Sequence, residues 1–416
     1  MRRRTPWAVL LLLALLVPCN GAAVEFNLTG FGTLGYAVSD QDFRYLRYID
    51  DRGTFKTDTL FGLQAELQLN PQWGATVQGV VSAPRTRDEG YEAQIRWAFV
   101  SFRPNNEWLF RLGRVRPPVF IYTQSAEVGV TYDYVRLPVE VYSTSPIYDF
   151  DGAAITKTWS TQNGEINLDG YWGKSSVKLR VHQRDTDQAL YFPTEVTATG
   201  IVLSYSAEQL LLRGGVHHAS GAFNSLRPQE ANIPTQPFAP IPPPLGGTLY
   251  VPFNPLSDVD LTLLSLGVEW RVSDWRITSE YSRRIVTDTK TGLASRGAYV
   301  TVGRGIGKWT PYATYARLLS DPEPRNQFQA VNFAPVPLLA QAPPLSLPPN
   351  YHRILAEHFV FDQYSTMLGT AYSFSPTSKL KLEWMRTHVG LRSTLVDGDV
   401  ANKSFNVFSI AYSFAF

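Results

Sequence analysis

The chain has 416 residues, with 38 basic against 36 acidic side chains and an aromatic fraction of 13%. A balance this close to neutral gives no electrostatic support for nucleic-acid binding or for a polybasic membrane-surface role. The single cysteine, Cys19, excludes an internal disulfide and a thiolate metal cluster, and no metal or cofactor is expected.

The first element is a targeting segment. Arg2, Arg3 and Arg4 precede an apolar run from Trp7 to Val17, followed by Gly21, Ala22 and Ala23. Basic start, short apolar stretch and small residues form a secretory signal peptide spanning 1–23, cleaved after Ala23. The run is well short of the ~20 residues that an anchoring helix needs. A lipoprotein attached at Cys19 is disfavoured by Pro18. The remainder, 24–416, reads as a single β domain.

From Phe26 onward, pieces of ten to fourteen residues alternate apolar and polar. Phe61, Leu63, Ala65, Leu67 and Leu69 alternate with Gly62, Gln64, Glu66 and Gln68. The pattern returns as Ile95, Trp97 and Phe99 against Gln94 and Arg96, and as Leu168 and Trp172 against Asn167, Asp169 and Tyr171. Leu264, Leu266 and Trp270 oppose Ser265, Gly267 and Glu269, while Leu382 and Trp384 oppose Lys381 and Glu383. Crossing an apolar band ~25 Å tall at ~45° takes roughly eleven residues, which fits these pieces. Approximate strand centres fall at 32, 62, 78, 97, 112, 155, 169, 200, 214, 265, 280, 300, 314, 368, 384 and 409.

A soluble sandwich alternates in the same way, so the connections decide. Tight turns at Asn70-Pro71-Gln72, Pro104-Asn105-Asn106, Gln162-Asn163-Gly164, Ala207-Glu208, Ser273-Asp274, Gly307-Lys308 and Ser375-Pro376-Thr377 alternate with long connections. The long ones fall at 39–54, 84–92, 117–150, 176–194, 220–258, 287–294, 320–361 and 391–402. Trp73, Trp108, Trp159, Trp275 and Trp309 all lie beside short turns, where an interfacial aromatic belt places them. The expected fold is an all-β, transmembrane, antiparallel up-and-down barrel of about sixteen strands.

Strand number, the long third connection and a terminal phenylalanine make the chain resemble a Gram-negative outer-membrane porin of the sixteen-strand kind. The resemblance implies that segment 117–150 folds inward as a constriction loop. It also implies outer-membrane lipid and lipopolysaccharide as surroundings, assembly by the barrel-assembly machinery through Phe416, and a homotrimer. Candidate constriction residues are Arg96 and Arg111 on the wall, with Arg114, Arg116, Glu127, Asp133, Arg136, Glu140 and Asp149 in or beside the loop. Loop acids facing wall arginines set a field that sorts solutes. Arg114 and Arg116 share the outward parity of Phe110 and Leu112, so they lie above the lipid band or a bulge near Gly113 turns them inward. Glu66, Asp169, Arg213, Glu269, Arg271, Arg276, Glu280, Lys381 and Glu383 are also inward, where cross-strand pairing is expected.

No enzyme is expected. His217 and His218 point to opposite faces and cannot share a metal, and nucleophile-elbow and phosphate-loop motifs are lacking. The resulting expectation is a passive channel for small hydrophilic solutes in the outer membrane. A substrate-specific channel and a structural or adhesive barrel are the alternatives. The final strand puts small residues inward (Ser409, Ala411, Ser413), which predicts a seam facing open lumen.

Overall fold

The computed structural model describes residues 24–184, 186–223, 235–238, 241–251, 259–286, 293–352 and 360–416. The segment 1–23, expected to be a signal peptide, lies outside these residues, as do parts of the connections 220–258, 287–294 and 320–361.

Sixteen antiparallel strands close into one barrel. They are β1 (Glu25–Ser39), β2 (Leu60–Gln68), β3 (Trp73–Ser82), β4 (Glu92–Asn105), β5 (Trp108–Val115), β6 (Phe150–Thr161), β7 (Gly164–Gln183) and β8 (Gln188–Ala207). The second half comprises β9 (Leu210–Phe223), β10 (Val259–Val272), β11 (Trp275–Val286), β12 (Ser295–Arg304), β13 (Trp309–Ser320), β14 (Phe361–Ser375), β15 (Ser378–Ser393) and β16 (Lys403–Ala415). Every expected strand centre falls inside one of them. Each strand pairs with its sequence neighbours, and β1 pairs with β16 from Phe31↔Ala415 to Ser39↔Val407.

Alternation sets the two faces. Leu34, Leu112, Trp172, Ile201, Leu266 and Phe408 are exposed on the outside, whereas Gln78, Ser204, Ser265, Thr278 and Ser409 are buried inside. Apolar side chains facing outward around a closed ring suit a hydrocarbon surround, since closure leaves no unpaired strand edge. Trp73, Trp159, Trp275 and Trp309 are exposed at the short-turn end. No helix among the described residues is long and apolar enough to cross a membrane.

Three sequence expectations are corrected. First, the alternation of β4 breaks at a bulge opposite Gln78 and Gly79, which pair with Trp97 and Ile95. The extra residue reverses parity beyond it, so Val100 is exposed outside while Phe99 packs inward against the Val115, Ile147 and Phe150 cluster. Second, segment 176–194 is not a loop. Strands β7 and β8 run for 20 residues each and pair through Gln183↔Gln188. Roughly eleven residues suffice to cross, so the hairpin continues well past the apolar band. Third, the seam does not face open lumen. Gly129 of the third connection sits against Thr33 and Ser413, so closely that a Cβ there would collide with both hydroxyls.

Candidate functional site: the inserted third loop

Loop 3, residues 116–149, leaves the wall where β5 meets Arg116-Pro117-Pro118. Two successive prolines offer no backbone N–H to the ladder, so strand pairing stops there. Just before them, Gly113 holds φ +132 and lies so close to the Ala98 carbonyl that a side chain would overlap it. The loop then fills the interior with Val119, Phe120, Tyr122, Tyr132, Tyr134, Val135, Val141 and Ile147, all buried. It contains a short helix, Val139–Tyr142.

Side chains of the opposite wall hold this loop. On β11, Glu280 accepts from the Ile121 amide at 2.6 Å and from the Tyr142 hydroxyl at 2.8 Å. On β10, Glu269 accepts from Tyr122. The guanidinium of Arg213 on β9 donates to the Phe120 carbonyl at 2.6 Å, and Lys381 on β15 donates to the Gly129 carbonyl at 2.6 Å. Cross-strand pairing was expected for these wall charges; their partners are instead largely in the loop. Of the remaining inward candidates, Glu66 accepts from its neighbour Gln64 at 2.6 Å, and Arg271 pairs with Glu269 at 2.5 Å. Glu383 accepts from Tyr312 on the wall at 2.7 Å.

The candidate residues separate into distinct groups. Arg96, Arg116, Glu127 and Asp149 come together. Glu127 lies 2.7 Å from Arg116, 2.9 Å from Arg96 and 3.7 Å from Arg85, and Asp149 lies 3.8 Å from Arg96. Burial raises the Glu127 carboxyl, but the fields of Arg116, Arg96 and Arg85 outweigh it and hold it at about 2. The wall arginine Arg96 and the loop acid are thus in contact rather than facing one another across a gap. Arg85, which sequence reading missed, belongs to the group and stacks on Tyr148 at 3.5 Å.

Asp133 bridges two wall cations, Arg276 and Lys379, the latter at 2.8 Å. Arg136 makes a bidentate pair with Asp58 of the first long connection, at 2.8 and 2.5 Å. Arg111 points inward toward the short-turn end, 3.1 Å from Thr156 and 3.9 Å from Asp169, with a wall acid as its partner. Arg114 corrects the expectation that it borders the pore. Its parity is unchanged, and it lies on the outer face in a bidentate pair with Asp151 at 2.8 and 2.7 Å. Phe416 closes the seam: its amide and carbonyl pair with Gly30 at 2.8 and 2.9 Å, and its ring covers that glycine.

Glu140 lies fully buried on the short helix and accepts from Ser365 at 2.5 Å and Gln363 at 2.8 Å, with its second oxygen unpaired. Burial raises its pKa, and the two hydrogen bonds only partly offset that. The native state therefore holds a proton there after the unfolded chain has released it, so stability falls as pH rises from the unfolded value toward the folded one. Glu140→Gln should raise the melting temperature at pH 7 by at least about 1 °C, the order expected from ~1 kcal/mol in a chain of this size. The gain should vanish below about pH 4, near the carboxyl's ordinary value. A pH series of thermal melts in detergent checks this, and an equal shift at every pH would show that proton release is not the cause.

No protein-family model and no curated protein sequence matches the chain. Among solved structures, the outer-membrane protein OmpT of Vibrio cholerae in its trimer form is similar with a TM-score of 0.53 and 11% identity, over 95% of this chain and 100% of that one. An anion-selective porin from Comamonas acidovorans aligns with a TM-score of 0.51 at 12% identity, over 95% and 100%. Salmonella typhi OmpF in complex with daunomycin aligns with a TM-score of 0.52 at 10% identity, over 94% and 97%. At these identities the likeness lies in the fold.

Proposed function

We propose that this chain, which has the sixteen-stranded barrel fold of the general porins, is an outer-membrane channel through which small hydrophilic solutes diffuse passively past loop 3. The observation that carries this reading is a closed barrel, apolar outside and polar inside, whose interior is narrowed by one loop tied to its walls. A barrel of sixteen strands is too wide for wall side chains to fill, so an inserted segment sets the bore. Export through the 1–23 segment, lipopolysaccharide around the belt, assembly by the barrel-assembly machinery and a homotrimer belong to the same reading. The trimer draws support from the trimeric Vibrio neighbour. Among the described residues nothing is arranged for bond-making chemistry, and the protein is read as a channel rather than an enzyme.

A second reading, a substrate-specific channel, is favoured by how firmly loop 3 is held. An open general pore keeps a free gap beside its loop, whereas here the loop acids Glu127 and Asp133 are in direct contact with the wall cations Arg96 and Lys379. Planar-bilayer recording of purified protein tests the channel reading. Discrete ohmic steps support it; a protein that inserts and stays silent supports the adhesive or structural alternative. Slow permeation by most solutes with one class passing faster separates specific from general diffusion.

Charge along the path should tune selectivity. A unit charge about 8 Å from a permeant ion in water contributes ~0.5 kcal/mol, about a twofold bias. Replacing Arg96 and Arg111 together by Gln should therefore shift the reversal potential in a salt gradient toward cations, with the permeability ratio changing about two- to fourfold. An unchanged reversal potential would place both arginines outside the conducting path.

A further inference from the structure

The protruding part of the β7–β8 hairpin serves neither wall nor constriction. Its upper halves, 176–183 and 188–194, stand beyond the apolar band. In the barrel order this hairpin lies diametrically opposite the β15–β16 connection, eight strands away in either direction. Yet the two touch. Arg180 on the hairpin pairs with Asp397 of the β15–β16 connection at 2.8 and 2.5 Å, and with Asp88 of the β3–β4 connection at 3.1 Å. Asp397 is 3% exposed and is held in register by a two-residue sheet pairing Val396↔Tyr45 and Asp397↔Arg44 with the first long connection.

Further contacts converge on the same place. Asp88 also accepts from Arg47 at 2.8 Å and from the hairpin's Tyr191 at 2.7 Å. Arg44 pairs with Asp187 at 2.5 Å, and His182 lies 3.0 Å from the same carboxylate. Arg184 donates to Asn332 of the β13–β14 connection at 3.2 Å. The hairpin is therefore tied to four other long connections, one of them on the far rim. A hairpin that merely prolonged the wall would reach only its neighbours.

We propose that the β7–β8 hairpin is a lid across the long-loop mouth, pinned by Arg180 between Asp88 and Asp397, and that solute entry requires this pin to release. The charges are balanced: Arg44, Arg47 and Arg180 face Asp88, Asp187 and Asp397. Closing therefore adds no net field to the mouth, and the hold is set by short contacts that salt weakens. The lid rests on the channel reading, and its test keeps the two apart.

The experiment is bilayer recording at 0.1 M salt on the full protein, with Arg180→Met and Asp397→Asn beside the parent. Folding of each is verified by heat-modifiable migration. A third sample carries Arg44→Cys with Asp187→Cys, in a Cys19→Ser background, joined by a reducible bis-maleimide. The lid predicts an open-to-closed ratio raised at least about fivefold in Arg180→Met, which removes the pairs to both Asp88 and Asp397. Conductance should fall in the cross-linked sample and recover on reduction. A conducting parent whose variants and cross-linked form behave identically overturns the lid and leaves the channel standing. A silent parent with a conducting Arg180→Met supports both. Silence in every sample overturns the channel reading and the lid with it.

Discussion

Removing residues 123–145 and rejoining the chain with a short glycine linker should raise unitary conductance at least about threefold, because a sixteen-strand ring without its insert is a wide aqueous bore. The removed stretch carries Glu127, Tyr132, Asp133, Tyr134, Arg136 and Glu140, hence the middle of the segment that fills the interior and its ion pairs to the wall. The wall partners it leaves behind, among them Arg276, Lys379 and Lys381, lose their loop acceptors and become hydrated by the water that replaces the loop. Barrel closure is a backbone matter between β1 and β16 and does not run through this stretch, so heat-modifiable migration should survive. Conductance unchanged by the deletion, in a protein that still migrates as a folded barrel, would mean that the bore is set elsewhere. The mouth would then be the place to look, and recording the same deletion in an Arg180→Met background distinguishes the two positions.

Asp58→Ala should cost ~3–5 kcal/mol of stability, the usual penalty for stranding one partner of a buried ion pair. Arg136 would remain in the interior with a bidentate partner removed, and the pair it now forms is screened from solvent on both sides, at 13% and 5% exposure. A guanidinium cannot shed its charge to escape, since its pKa stays above about 12. The loss should be read as a lower denaturant midpoint in guanidinium. The double variant Asp58→Ala with Arg136→Met should recover most of it, because no charge is then left unpaired. A double variant no better than the single one would show that Asp58 matters for its local turn and not for Arg136.

Much of the wall was readable along the chain because one physical rule governs it: outward residues meet hydrocarbon, and inward ones do not. That rule places all sixteen strands and the small inward residues of the closing strand. It fails at β4, where a bulge inserts a residue opposite Gln78 without altering composition, so Phe99 changes face. It fails again above the belt. Ser176 to Gln183 reads as a polar connection because a strand standing in water owes nothing to lipid, although Val177, Leu179 and Val181 still alternate with Lys178, Arg180 and His182. The interior was less legible. Acids of loop 3 could be enumerated, but their partners are fixed by closure: Asp133 meets Lys379 across 246 positions of sequence, and Glu140 meets Ser365 across 225. Nothing local marks Asp58 as the counterpart of Arg136, or Arg85 as a third cation beside Glu127.

Gly129 touches Thr33 from the first strand and Ser413 from the last, while Lys381 grips its carbonyl. Those two strands are the first and last of the barrel, so a residue from the middle of the chain lies beneath the joint between them. One glycine thus brings three distant stretches of sequence to a single point, where the space left between the first and last strands sets how large its side chain can be. The joint holds by its own backbone ladder, so a bulkier residue at this point would push the loop off its seat before it parted the ends.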